Sequence, residues 1–195
     1  MLRMRTKVGV MGSAGGNLEP EALTRVRELG RYCAERDCIL ITGACPGYPQ
    51  QAVLGAREAG GLAIGVSPAH CLDEHIERYH SPWEEYELLV FTGSGLMGRE
   101  IEAIRSCDIV VTCGGRSGTL GEFAIAYDEG KLIGVLAHTG GISDHMHAIV
   151  GFINKQTGAE VLYDQDPRAL VDKLLAAFEV RLQEGRAYGI ARPDG

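Results

Sequence analysis

A glycine-rich segment that also carries hydroxyl side chains stands between a β-branched run and a helical pattern in the second half of the chain. Glycine lets backbone N–H groups approach a ligand closely, and the start of a helix adds unpaired donors and partial positive charge. Segments of this kind bind anions, above all phosphate. The residues predicted to bind phosphate here are Gly114, Gly115, Arg116, Ser117, Gly118 and Thr119.

Two ionisable residues flank this segment. Glu122 would lie in the first turn of the helix that follows it, and Arg99 near the start of the preceding helix. Each has an ordinary alternative role, because an arginine can be a solvated helix charge and a carboxylate favours a helix N-terminus. Beside a phosphate site, Arg99 and Glu122 together indicate a site with one cationic and one acidic arm.

The elements that must position these residues follow an alternating pattern. Short apolar runs predict strands at 7–11, 38–42, 62–66, 87–91, 108–112, 132–136 and 160–163. Helical spacing predicts helices at 20–36, 50–59, 96–106, 119–129, 145–155 and 167–183, with an irregular, exposed excursion over 67–86. Strands that are apolar on both faces and separated by helices indicate a parallel sheet covered on both sides. The fold class is therefore α/β: a Rossmann-like, doubly wound parallel sheet in a single domain over 1–184, with a flexible tail over 185–195.

In such a sheet, ligands bind beyond the carboxyl ends of the strands, near the point where the strand order reverses. The glycine-rich loops after the first two strands end at that edge, so Gly12, Ser13 and Gly43 join the predicted nucleotide site. The loops at 92–95 and 138–141 follow two further strands. The dinucleotide pattern G-x-G-x-x-G occurs only at Gly93, which opens the fourth strand–helix unit instead of the first, and no Walker motif is present.

The composition of the chain excludes several classes of binding partner and indicates a cellular compartment. The chain has 195 residues and a net charge of −7, which argues against general binding of nucleic acid or anionic membranes. No apolar run approaches the length of about 18 residues that a membrane span needs. The six cysteines form no C-x-x-C pair, and the histidines and cysteines show no zinc-site spacing. We therefore expect no metal, no membrane partner and a cytoplasmic location.

Three features of the sequence together resemble the Lonely Guy (LOG) family, also known as "possible lysine decarboxylase", and its Rossmann-like nucleotide-binding relatives. They are Met97-Gly98-Arg99, then Asp108, then the stretch from Gly114 to Glu122, which parallels the family pattern P-G-G-x-G-T-x-x-E. The resemblance covers about residues 6–180. The chain departs from the pattern in four places. Gly114 replaces the motif proline, Arg116 replaces a motif glycine, and an Arg-Lys pair becomes Arg99-Glu100. The usual glycine-rich second loop becomes Ala44-Cys45-Pro46-Gly47-Tyr48-Pro49.

The resemblance implies two alternative functions. Members of the best-known branch cleave the N-glycosidic bond of nucleoside 5′-monophosphates to free base and ribose 5-phosphate, and Arg99 and Glu122 fall on the positions of their catalytic pair. Other relatives, including the molybdenum-cofactor carrier protein, bind a phosphate-bearing pterin without that activity. The sequence therefore predicts either a phosphoribohydrolase or a non-catalytic nucleotide or pterin carrier, and not a lysine decarboxylase. No cofactor is required for the first, and a homo-oligomer, dimer or tetramer, is expected for both by resemblance alone.

Overall fold

The computed structural model describes residues 4–185, which form an α/β fold around one seven-stranded parallel sheet. The strand order is β4-β3-β2-β1-β5-β6-β7, and all six neighbouring pairs are parallel. The strands are β1 (Lys7–Gly12), β2 (Ile39–Thr42), β3 (Leu62–Ser67), β4 (Leu88–Phe91), β5 (Ile109–Cys113), β6 (Leu132–Leu136) and β7 (Glu160–Asp164). The predicted Rossmann-like parallel sheet is confirmed.

Helices cover both faces of this sheet. They are α1 (Pro20–Glu35), α2 (Tyr48–Glu58), α3 (Leu72–Glu77), α4 (Gly95–Arg105), α5 (Ser117–Asp128), α6 (Met146–Ile153) and α7 (Pro167–Gln183). One apolar cluster joins the sheet to α1, α2 and α7, and a second joins it to α4, α5 and α6. The interior strand β5 contributes to both clusters, because Ile109 and Val111 face the first cluster and Val110 faces the second. An uninterrupted apolar run is what a strand buried on both faces requires.

The region over 67–86 differs from its sequence interpretation as an exposed excursion. It contains the short helix α3, and His75 on that helix is completely buried. The imidazole satisfies both ring nitrogens, because Nδ1 hydrogen-bonds Ser67 Oγ at 2.8 Å and Nε2 bonds the carbonyl oxygen of Pro82 at 3.0 Å. The burial of His75 could not be predicted from the sequence, because the residue stands in a polar run. A buried histidine with two hydrogen-bond partners has no sequence pattern that distinguishes it from an exposed one.

The strand order places a crevice between β1 and β5. From β1 the sheet grows through β2, β3 and β4 in one direction and through β5, β6 and β7 in the other. The loops that follow β1 and β5 therefore diverge at the sheet edge, and Gly12 pairs with Cys113 where the two strands end. This is the reversal point at which an open α/β sheet binds ligands.

Within residues 4–185, no helix combines the length and apolar character that crossing a bilayer would demand. Residues 1–3 and 186–195 lie outside the described residues, and so does nearly all of the predicted tail over 185–195.

Candidate functional site

A cavity of about 490 Å³ opens at the crevice between β1 and β5. Its walls come from the loops after β1, β2 and β5 and from the first turns of α4 and α5. The predicted site residues that line it are Gly12, Ser13, Gly43, Arg99, Arg116, Ser117, Gly118, Thr119 and Glu122. Gly114 and Gly115 lie just behind the wall. Segments that are distant in sequence thus converge as the parallel topology predicts.

Gly114 and Gly115 shape the turn after β5, and their amides are already occupied. The N–H of Gly115 donates to Ser13 Oγ at 2.6 Å, and the N–H of Gly114 donates to Thr139 Oγ1 at 2.8 Å. Both glycines have positive φ, +58° and +93°, and a Cβ at Gly115 would fall 2.3 Å from Thr119 Cβ. Only glycine fits this turn, so these two residues fix the turn that leads into α5 while their own amides are bonded within the protein.

The first turn of α5 supplies the free donors. Ser117, Gly118 and Thr119 are its first three residues, and no side chain caps them. The first amide of this helix to find a backbone acceptor is that of Leu120, which donates to the carbonyl of Arg116 at 3.0 Å. Within residues 4–185, the amides of Ser117, Gly118 and Thr119 have no acceptor. A helix start with three such donors on a cavity wall is suited to an anion.

Arg99 and Glu122 form a buried ion pair at the base of the cavity. Nη1 of Arg99 lies 3.3 Å from Oε1 of Glu122, and the two residues are 7% and 6% exposed. Gly43 makes room for this arrangement, because a Cβ at position 43 would come within 2.0 Å of Nη1. Gly43 therefore admits the guanidinium. The Nε atom of Arg99 is also buried, and it has no hydrogen-bond partner in the described part of the chain.

The environment of Glu122 changes its acidity. Burial raises the pKa of Glu122 to about 7, the neighbouring Arg99 guanidinium opposes this shift, and the nearby Glu100 carboxylate adds to it. A carboxyl group with a pKa near neutrality exchanges its proton at physiological pH. It can therefore serve as an acid or a base in the cavity.

Among the lining residues that the sequence analysis did not assign to the site, Glu100 and Cys45 are the ionisable ones. Glu100 follows Arg99 directly and is 7% exposed, and burial raises the pKa of its carboxyl group. Burial likewise raises the pKa of the Cys45 thiol to about 11, so that it is a neutral thiol near pH 7. The only signal for Glu100 in the sequence was its replacement of the lysine in the family pattern.

The remaining glycine-rich loops have supporting roles. The loop after β6 stabilises the turn after β5 through two hydrogen bonds. The backbone N–H of Ile142 donates to the carbonyl oxygen of Gly115, and that of Ser143 donates to the carbonyl oxygen of Gly114. The loop over 92–95 lies outside the cavity wall, which α4 joins only from Leu96 onward. Arg116 is exposed and lines the rim of the cavity next to the start of α5.

Solved structures with this fold include close matches along nearly their whole length. A structural-genomics protein designated TM1055 is 27% identical, and the match covers 88% of this chain and 99% of that one with a TM-score of 0.76. The molybdenum cofactor binding protein from the phototrophic bacterium Rippkaea orientalis is 26% identical over 89% of this chain and 98% of that one, with a TM-score of 0.72. The molybdenum cofactor carrier protein from Chlamydomonas reinhardtii is 27% identical over 88% and 99%, with a TM-score of 0.69.

A family model matches the chain from the first strand into the last helix. It spans residues 5–171 and so includes every loop that lines the cavity. This match and the similarity to molybdenum-cofactor carriers confirm the resemblance to the LOG superfamily that the motif around Gly114 and Glu122 indicated. Because the family model matches most of the chain, the chain belongs to the SLOG cluster4 family.

Proposed function

We propose that this protein binds a phosphate-bearing nucleotide or pterin cofactor in the cavity between β1 and β5. The observation that carries the proposal is the set of three unpaired amides at Ser117, Gly118 and Thr119, which open the 12-residue helix α5 on the cavity wall. The helix dipole adds partial positive charge at this point, and Arg116 adds a full charge at the rim. A phosphate group satisfies these donors better than a neutral ligand does.

The size of the cavity and the nature of its base support this class of ligand. Its volume of about 490 Å³ falls within the usual range for small-molecule sites. Below the amides, the carboxyl group of Glu122 offers an acceptor for amino, imino or hydroxyl donors, which pterins and nucleotides both carry. The chain is also similar to proteins that carry the molybdenum cofactor, which agrees with the carrier alternative.

A second candidate function is hydrolysis of the N-glycosidic bond of a nucleoside 5′-monophosphate. The buried Arg99–Glu122 pair favours it, because cleavage of such a bond passes through an oxocarbenium-like state. The ionised fraction of Glu122 would stabilise that positive charge or orient the attacking water. Arg99 would hold the ribose or the departing base.

Turnover of nucleoside monophosphates distinguishes the hydrolase from the carrier. The purified protein is incubated with AMP, GMP, CMP and UMP, while free base is followed by chromatography and ribose 5-phosphate by a coupled assay. Native mass spectrometry of the same sample reports a retained ligand. Release of base would establish the hydrolase, and retention of a phosphorylated ligand without release would establish the carrier. A protein that neither retains nor binds any phosphorylated compound would contradict both.

We further propose that the protein forms a homo-oligomer through β4 and α4. Large apolar side chains are exposed on these neighbouring elements, with Leu88 53%, Met97 80% and Ile101 42% exposed. Ile101 lies outside the cavity wall, so Ile101→Glu tests the surface separately from the site. Light scattering is expected to show a smaller particle for this variant than for Phe152→Glu, which alters an 86%-exposed residue on α6. Equal particle masses for the wild type and Ile101→Glu would argue against this interface.

A further inference from the structure

Another cavity, of about 440 Å³, lies between the start of α2 and the segment that follows α3. This cavity, called the Trp83 groove below, is lined by Pro46, Gln50, Ile76 and residues 80–85. Trp83 is the only tryptophan of the sequence and is 42% exposed, and Ile76 is 37% exposed. Large apolar side chains that stay in contact with water at a concave surface are typical of sites where a partner binds.

The segment that presents Trp83 is fixed on both sides by hydrogen bonds to buried side chains. The imidazole of His75, which is completely buried, bonds the carbonyl oxygen of Pro82 at 3.0 Å. The hydroxyl group of Tyr86 bonds the Oγ1 atom of the buried Thr42 at 2.8 Å. The backbone N–H of Tyr86 also donates to the carbonyl oxygen of Trp83 at 3.2 Å. Because the turn is already held in place, a partner that binds Trp83 loses little conformational entropy there.

Two carboxylates follow the tryptophan directly, and no cation neutralises them. Glu84 and Glu85 line the groove, and among residues 4–185 neither forms a salt bridge or a hydrogen bond. Glu87, a few positions further on, differs from them because it pairs with Arg57. The groove therefore combines an exposed aromatic ring with negative charge that the described part of the chain leaves unpaired.

An arginine side chain matches both of these features. Its guanidinium stacks on the face of an indole ring and donates parallel hydrogen bonds to a carboxylate. Its methylene groups cover apolar surface, which Ile76 and Pro46 supply in the groove. Nucleic acids and phosphorylated ligands are disfavoured here, because their charge has the same sign as that of the groove. The net charge of −7 on the whole chain also favours association with a basic partner.

We propose that the Trp83 groove binds an arginine-bearing, net basic segment of a partner protein. A protein segment is favoured over a small free amine, because a single small cation cannot contact two carboxylates, the indole ring and the apolar wall together. The groove adjoins the cavity between β1 and β5, since Cys45 lines the cavity and the next residue, Pro46, lines the groove. A protein bound in the groove thus lies beside the cavity, where it can receive or deliver a ligand. The docking surface does not depend on what the cavity binds.

The fluorescence of Trp83 provides the test, because the chain has no other tryptophan and the signal therefore comes from the groove. Three probes without aromatic groups are titrated into the protein at pH 7.5. They are a capped pentapeptide with two arginines flanking a leucine, the same peptide with glutamates in place of the arginines, and N-acetylarginine amide. The arginine peptide is expected to change the emission saturably and to bind about tenfold or more tightly than N-acetylarginine amide. The glutamate peptide is expected to cause no change.

Variants assign the binding to the two carboxylates and the ring. The double variant Glu84→Gln, Glu85→Gln should bind the arginine peptide roughly fivefold more weakly, because two partly exposed ion pairs are lost. The matched control Glu102→Gln, Glu179→Gln removes two exposed carboxylates on α4 and α7, outside the groove, and should keep the wild-type affinity. Trp83→Leu, measured by calorimetry since it lacks the fluorophore, should also bind the peptide more weakly.

The absence of a saturable change with the arginine peptide would overturn the proposal. Equal losses of affinity in the double variant and its control would overturn it as well, because net charge alone would then explain the attraction. If N-acetylarginine amide binds as tightly as the peptide, the groove takes a small amine and not a protein segment, which also contradicts the proposal. The comparison of the three probes on the wild type requires no substitution, so it stands even if a variant does not fold.

Discussion

The guanidinium of Arg99 lies directly against the backbone of Gly43, where a Cβ atom would come within 2.0 Å of Nη1. This contact joins the loop after β2 to the first turns of α4. It holds Arg99 against Glu122, 3.3 Å away, at the base of the cavity. The absence of a single side chain at position 43 thus decides where the buried cation of the site can lie.

We expect Gly43→Ala to destabilise the protein by displacing Arg99. Overpacking at such a site costs about 1–3 kcal/mol of unfolding free energy. Urea denaturation measures the loss, and a double-mutant cycle assigns it: once Arg99→Ala has removed the guanidinium, Gly43→Ala should cost much less. Gly15→Ala is the matched control and should be nearly neutral, because no other group among residues 4–185 lies within 4 Å of the Cβ position in this glycine-rich loop. Equal costs for Gly43→Ala with and without Arg99 would contradict the contact.

Gly118→Val is expected to abolish phosphate binding without unfolding the protein. A Cβ at position 118 meets only Glu100 Oε1, at an ordinary contact distance of 3.6 Å, so the fold has room for it. The branched side chain would nevertheless crowd the amides at the start of α5. Loss of one charge-assisted hydrogen bond or more predicts a drop in affinity for inorganic phosphate of about tenfold or greater.

The control for this substitution is Gly151→Val on helix α6, where no other group in the described part of the chain lies within 4 Å of the Cβ position. It makes the same exchange of residue types within a helix and lies outside the cavity wall. Calorimetric titration with inorganic phosphate should therefore separate the two variants, while their melting temperatures stay similar. Unchanged phosphate affinity in folded Gly118→Val would rule out the start of α5 as the anion site.

The raised pKa of Glu122 predicts a specific dependence of stability on pH. Its ordinary value is 4.5 and its folded value is about 7, so between these values the folded protein binds more protons than the unfolded chain. The contribution of Glu122 to the free energy of unfolding is therefore smallest above pH 7. It falls by roughly 2–3 kcal/mol as the pH rises from 4.5 to 7.5. Unfolding free energies of the wild type and Glu122→Gln across this range should diverge accordingly.

Other carboxylates titrate in the same interval, so the difference between the two proteins is the informative quantity. The glutamine variant has no proton to lose at position 122, and its stability should decline less steeply with pH than that of the wild type. Glu102→Gln, at an exposed position on α4, should follow the wild-type profile. Parallel profiles for the wild type and Glu122→Gln would refute the assigned acidity.

Substitution of the buried pair distinguishes the hydrolase from the carrier. If nucleoside monophosphates are cleaved, Glu122→Gln should retain nucleotide binding and lose about 10²-fold in turnover, because it removes the charge that stabilises the oxocarbenium-like state. Arg99→Ala should weaken both binding and turnover, since it removes a cation and a positioning group. Single-turnover assays of base release, with calorimetric binding in parallel, measure the two effects separately. A wild type that binds these nucleotides and frees no base would exclude the hydrolase.

Local sequence patterns were sufficient to predict the sheet and the segment after β5 that lines the cavity. Periodicity depends on residues only a few positions apart, so the strands and most helices could be placed within a few residues of their observed bounds. The α/β alternation then implied a parallel sheet and directed attention to the loops after β1, β2 and β5. The stretch from Gly114 to Glu122 also carried the family resemblance.

Tertiary structure decided what each of these residues does. The amides of Gly114 and Gly115 are taken by Thr139 and Ser13, which lie 25 and 102 positions away in the chain. Gly43 lines the cavity as a predicted site residue, and Arg99 occupies the place that a side chain at position 43 would take. The acidity of Glu122 depends on burial and on neighbours brought together by the order of the strands. Such properties arise from distances between remote segments, and a linear pattern encodes residue types and spacings without those distances.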